Sequence, residues 1–287
     1  MAPNISDGKC FIALLQAVED LGQAYVDRSI RELLRASKCD DVPVDLVRAA
    51  NHQSVHRIEL RPLVAGGLIA PVLDGFEIHI NHDAIESLSA TPSGGRNLSR
   101  RQRFSLAHEI VHTLFFDRER RPPVPVQNAP QGAALERLCQ HGARLLLLPE
   151  SLLIRELGNG GQVDSIQTLL RLSDRFGASV EVILRRIDEA PQLKRGDFCI
   201  VFFEQSASKR SGEILAACYD NSLHGFISRP KLYSELADWL GDFIHEGFWS
   251  AGTLAWTKRA TGGELRFRKA RHHRGGCFFL EMSFCPE

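Results

Sequence analysis

The chain has no run of about 18 or more apolar residues, so no segment is expected to cross a bilayer as a helix. Its first residues lack a basic start followed by a clean apolar stretch, because Glu19 and Asp20 interrupt the pattern, and no secretory signal is read there. A surplus of charge is missing too: 35 Lys and Arg balance 35 Asp and Glu. That balance disfavours a globally basic nucleic-acid binder and an acidic solvating tail. There is no CxxC and no even cysteine framework; Cys10, Cys39, Cys139, Cys199, Cys218, Cys277 and Cys285 are odd in number and scattered. In a chain this long the expectation is buried free thiols in a reducing cytoplasm rather than disulfides. Internal repeats and low-complexity tracts are also lacking. What remains is ordinary globular composition, 44% hydrophobic and 24% charged over 287 residues, enough for about two domains at ~150 residues each.

The periodicity predicts an α+β protein. Phe11, Leu14, Leu15, Val18 and Leu21, continued by Ile30, Leu33 and Leu34, predict a helix over 10–36, and a short helix follows Pro43. Residues 55–82 change to strand spacing, with Asp74-Gly75 read as a type I′ hairpin turn and Phe76, Ile78 and Ile80 alternating with polar residues. Residues 91–96 (TPSGGR) read as a loop. Ser99 followed by Gln102 reads as a capping box for a helix running through RRQRFSLAHEIVHTLFFD. A Pro-rich loop leads to a helix from about 133 to 148. A helical pair at 163–175 and 179–187 follows, broken at Gly177 and restarted at Ser179. Beyond residue 192, FCIVFFEQ, GEILAACYD, HGFISRP, TLAWTKRA, GELRFRKA and GCFFLEMSF read as strands around one helix at 231–246. The predicted division is 1–150, 151–192 and 193–287.

The strongest chemical signal is HEIVH at 108–112. Residues i and i+4 share a helix face, so His108 and His112 can aim both imidazoles at one metal ion. Glu109 then lies beside the metal, where it can take a proton from bound water. Composition alone produces roughly 0.03 such matches per chain, so the motif gains weight from its capped helix. A catalytic zinc needs a third protein ligand and an open position. A further histidine in the HExxHxxGxxH pattern is ruled out, because Phe115 and Arg118 occupy the required places. Asp117 and Glu119 follow too closely for the chain to fold back. Glu136, 24 residues after His112, allows a loop and an antiparallel return. Gln140, one turn beyond Glu136, can hold a ligand imidazole from behind as an acceptor.

These strings, RFSLAHEIVH and then ERLCQHGARLLLLP, resemble the ImmA/IrrE family of metallopeptidases. Arg103, Phe104, Ala107, His108, Glu109 and His112 match one family pattern, and Glu136, Ala143, Leu146, Leu147 and Pro149 match the second. Cys139, Gln140, Gly142 and Leu148 depart from it. The resemblance covers about residues 35–190, and the layout is similar to the IrrE branch. It implies a zincin-like peptidase domain, a helix-turn-helix-like segment and a C-terminal GAF-like sensor domain. It further implies a gluzincin-like zinc endopeptidase, His108, His112 and Glu136 as ligands and Glu109 as the base. Its implied substrate is a helix-turn-helix repressor whose loss releases stress or DNA-damage genes. Two His and one carboxylate also suit manganese or iron. The competing functions are a non-catalytic adaptor that binds a repressor and a zinc hydrolase for small molecules.

Other features have plainer readings. In 163–187 the arginines are offset by acids, so a packed helical hairpin is favoured over DNA contact. Lys258–Arg274 is locally basic and is read as a solvated strand face and hairpin loop, with binding of nucleic acid or an anionic ligand as the alternative. His79 and His82 are expected beside the substrate edge, and Cys139 as a half-buried thiol. His141, Arg103, Tyr219 and His224 are weak candidates for stabilising an oxyanion.

Overall fold

The computed structural model describes residues 8–82, 98–158, 163, 166–190, 193, 198–205, 212–219, 257–260, 263–272 and 277–286, with side chains described between 20 and 193. It is an α+β chain that separates into two compact units, 1–152 with 175–178, and 153–174 with 179–287. The expected loop at 91–96, the strand HGFISRP and the helix at 231–246 lie outside the described residues.

The first unit opens with a long helix, α1 (Gly8–Ala36), and a short one, α2 (Leu46–His52), whose N-cap Asp45 accepts a hydrogen bond from Arg48 N. Three strands follow, β1 (Val55–Arg61), β2 (Gly67–Val72) and β3 (Gly75–Asn81), in the order β1-β3-β2. β3 is central, parallel to β1 and antiparallel to β2, so β2 is an edge. Phe76, Ile78 and Ile80 of β3 are fully buried, as their alternation predicts, but the polar face expected to be wet is covered too, with His79 5% exposed.

The hairpin turn falls one residue earlier than expected. Val72 pairs with Gly75, which makes Leu73 and Asp74 the loop, and none of these residues has positive φ. A type I′ turn is therefore not formed. Gly75 serves a different need: a Cβ there would overlap Ser54 O, beside which the chain enters β3.

The central helix, α3 (Arg100–His112), starts at the expected capping box: Ser99 Oγ accepts from Gln102 N, and Gln102 Oε1 accepts from Ser99 N. It ends at His112 rather than continuing through Asp117. Thr113–Phe115 form a 3-10 turn, and β4 (Phe116–Asp117) pairs with β5 (Val124–Pro125). Tertiary hydrogen bonds win over local helix propensity here: Val126 N donates to Phe115 O, and Tyr25 Oη to Leu114 O.

α4 (Gly132–Leu147) packs on α3 and α1, while the opposite face of α3 meets β2 and β3. Leu106, Ala107, Ile110 and Val111 of α3, with Leu138, Ala143, Leu146 and Leu147 of α4, form the core between them. Each large apolar side chain so buried stabilises the fold by about 1.5–3 kcal/mol before entropy is counted. Pro149 stops α4 as expected, but a further helix not foreseen, α5 (Glu150–Leu157), starts at once.

α6 (Ile166–Phe176) and α7 (Val180–Glu189) form the expected pair, with Gly177 at φ +59° and Ser179 Oγ accepting from Val182 N. Leu169, Phe176, Val180, Ile183 and Leu184 are buried, as the packed-hairpin reading requires. Arg186 is buried as well and is not available to a nucleic acid. In the second unit, β6 (Phe198–Gln205), β7 (Gly212–Tyr219), β8 (Thr257–Ala260), β9 (Gly263–His272) and β10 (Cys277–Pro286) form an antiparallel sheet, ordered β7-β6-β10-β9-β8. Among the described residues no helix is long and apolar enough to cross a membrane.

Candidate metal centre

The helical spacing of α3 brings His108 and His112 together, with Nε2 atoms 3.1 Å apart and rings nearly perpendicular. α4 returns antiparallel and supplies Glu136, whose Oε2 lies 3.2 Å from His108 Nε2 and whose Oε1 lies 3.5 Å from His112 Nε2. The three groups form a cluster able to hold a metal ion. Their spacings suit such an ion: a tetrahedral shell with bonds of ~2.0–2.1 Å has donor–donor edges of about 3.3–3.4 Å. Burial holds the His108 imidazole below its ordinary pKa against the opposing pull of Glu136, and burial with the nearby His108 holds His112 at about 4. Both rings are thus neutral near pH 7, the state in which imidazole ligates.

Glu109 sits one residue round the helix and is 6% exposed. Burial, reinforced by the Glu136 carboxylate, raises its pKa to about 7. A carboxyl poised there can both accept and return a proton near neutrality. By contrast Glu136 is 53% exposed at its side chain, so the cluster opens to solvent on that side.

The cluster lies in a cleft of about 450 Å³ lined by Phe104, Ser105, His108, Glu109, His112, Glu136 and Gln140 and by the chain segment 65–69. All five residues singled out from the sequence as site residues, His108, Glu109, His112, Glu136 and Gln140, therefore face one cleft. Sequence reasoning missed the opposite wall, Gly66 to Ile69, and the two α3 residues Phe104 and Ser105. The paired glycines at 66–67 were the available signal.

Several secondary candidates are placed elsewhere. His79 lies on the central strand rather than at an edge; it is 5% exposed, and its Nδ1 faces Glu59 Oε2 at 3.3 Å. His141 Nε2 contacts Asp27 Oδ1 at 2.7 Å, tying α4 to α1. Arg103 is buried and donates from Nη2 to Val44 O at 3.0 Å. Neither lines the cleft. Tyr219 belongs to β7 in the second unit, and His224 lies outside the described residues. Cys139 is fully buried rather than half-buried, and burial, with Glu136 and Glu109 nearby, pushes its thiol pKa up. Cys39 and Cys139 are free thiols, as expected.

An α+β fold with this cluster between its central helix and a returning one is that of a zincin-like metallopeptidase domain. Residues 96–188, about a third of the chain, match the family model of the IrrE N-terminal-like domain, Peptidase_M78. No curated protein matches. A solved structure described as a Mycobacterium tuberculosis transcriptional regulator is similar at 14% identity, covering 93% of this chain and 81% of that one, with a TM-score of 0.47.

Proposed function

We propose that the chain is a zinc-dependent endopeptidase of the HExxH-plus-Glu type, with His108, His112 and Glu136 as ligands and Glu109 as general base. The observation that carries this reading is the convergence of those three donors beside a buried carboxyl in an open cleft. When bound, the metal supplies a Lewis acid and a water acidified from ~16 towards ~7. With the metal held there, Glu109 would accept the water proton and hand it to the leaving amine. Gln140 lines the same cleft and steadies the ligand set. Two imidazoles and a carboxylate also accept manganese or iron.

The substrate lies extended along β2. Asn81 N donates to Gly66 O at 3.0 Å, and with the β2–β3 register this turns the peptide groups of Leu68 and Ala70 towards β3. Those of Gly67 and Ile69 point to the free edge, where a peptide can add as a strand. Pro71 brings no N–H to that edge, which ends the run of donors.

The proposed substrate is a helix-turn-helix repressor, cut in the cytoplasm to release stress or DNA-damage genes, a reading supported by the match to the IrrE N-terminal-like domain. In this reading 1–150 is the peptidase domain, 151–192 a helix-turn-helix-like segment and 193–287 a GAF-like sensor domain. Glu109→Gln tests it. The variant should hold its metal and lose cleavage of a co-encoded helix-turn-helix protein. Cleavage at the wild-type rate would remove Glu109 from the mechanism, and a wild-type chain that binds this protein without cutting it would favour the adaptor.

A further inference from the structure

The geometry points to Gly67 as a positioning residue for the Glu109 carboxyl, an inference that rests on the reading of Glu109 as the base. Gly67 opens the edge strand β2, outside the segment that matches the family model. A Cβ built on it would stand 2.7 Å from Glu109 Oε1, 2.9 Å from Cγ and 3.2 Å from Cδ. The bare backbone of Gly67 is therefore packed directly on the acid, and any other residue would compete for the space it fills. The Glu109 side chain itself must give. It is 6% exposed, and the neighbouring Ile110 and Val111 are fully buried, so the helix backbone beneath it is fixed.

The arrangement has a specific consequence. β2 lies along the cleft, and the absence of a side chain at 67 lets its backbone approach the acid closely. One glycine thus sets the base and brings the proposed docking edge beside it. The neighbouring Gly66 differs, since its added Cβ would meet Ser105 Oγ at 3.0 Å and not the acid. The three atoms nearest a Cβ at 67 all belong to Glu109, so a change there reaches the base first.

The test is Gly67→Ala in the full chain loaded with zinc. Its crystal structure should show the Glu109 carboxyl displaced by about half an ångström or more, with His108, His112 and Glu136 superposing on the wild type. Zinc content should stay at one per chain. On a dye-quenched casein, kcat should fall about 10–100-fold with KM changed less than about threefold, because misplacing a reacting group acts on the chemical step. In a Glu109→Asp background, where the acid is one methylene shorter, the same alanine should cost less than about twofold. An unmoved Glu109, an unchanged kcat, or an equal loss in both backgrounds overturns the proposal. Loss of zinc or a matching rise in KM also overturns it, since either marks a general structural role. Glu109→Gln separates the two ideas: if it is inert while Gly67→Ala cuts normally, only the positioning role falls. If Glu109→Gln itself cuts at the wild-type rate, the reading of Glu109 falls as well.

Discussion

Replacing Gly142 by alanine tests how tightly three helices are drawn together behind the candidate metal centre. Gly142 is on the buried face of α4, and an added Cβ would stand 2.7 Å from Val111 Cγ1, 2.8 Å from Val26 Cγ1 and 3.0 Å from Val111 Cγ2. Both valines are fully buried, and β-branched side chains in helices hold nearly one rotamer. Relief must come from α4 backing away from α1 and α3. Overpacking of this kind costs about 1–3 kcal/mol, and two stiff neighbours on two elements argue for the upper half. Alanine returns up to about 1 kcal/mol through its better helix propensity. The net expectation is a loss of about 1–2 kcal/mol, or about 2–8 °C in Tm for a unit of this size. Glu136 lies six residues earlier on the same helix, so the shift also lengthens its reach to His108 and His112, now 3.2 and 3.5 Å. Urea unfolding of the metal-free chain measures the first effect, and competition with a chelator measures the second. A variant as stable as the wild type, with undiminished metal affinity, would refute the reasoning.

Further expectations concern the cap, the ligand set and pH. Ser99→Ala removes the acceptor for Gln102 N and should cost about 1 kcal/mol in urea unfolding; no change would mean the cap is dispensable. Glu136→Ala should weaken zinc affinity by more than the ~10–100-fold typical of an outer-shell partner, as read by chelator competition. In the metal-free chain the unfolded state protonates His112 below about 6.5, while the folded state resists to about 4, so this group makes stability rise with pH between those values. Glu109 acts oppositely: folded, it keeps its proton up to about 7, against 4.5 when unfolded, so its contribution falls as pH rises. Between pH 4.5 and 6.5 the Glu109 slope opposes that of His112, to which His108, also lowered by burial, adds. Glu109→Gln should therefore steepen the rise by up to ~1.4 kcal/mol per pH unit over that window, and slopes equal to the wild type would count against the assignment.

The parts of the fold that were legible are those written in local chemistry. The capping box at Ser99 and Gln102, the stop at Pro149, the break at Gly177 and the alternation of β3 all depend on residues a few positions apart. The i, i+4 histidines were legible for the same reason, and Glu136 needed only a loop length and an antiparallel return. What was not legible depends on distant partners. The end of α3 at His112 is set by hydrogen bonds from Tyr25 and Val126. The need for glycine at 75 comes from Ser54 O, which lies before β1 in the chain. The wall of the cleft opposite α3 depends on strand order, which places β2 at the edge and His79 in the middle.

The turn between α6 and α7 bears on where this chain can be cut. Residues 175–178 cluster with the first unit although the chain on both sides belongs to the second. A Cβ on Gly177 would lie 2.9 Å from Arg103 Nε, so the turn closes over a guanidinium that is 3% exposed and sits in the same helix as His108. A fragment ending at Leu152 would strip that cover and leave a buried cation facing water on one side and a hydrophobic interior on the other. A fragment that keeps this cover over α3 must therefore run past Ala178, well beyond the last residue that touches the cleft.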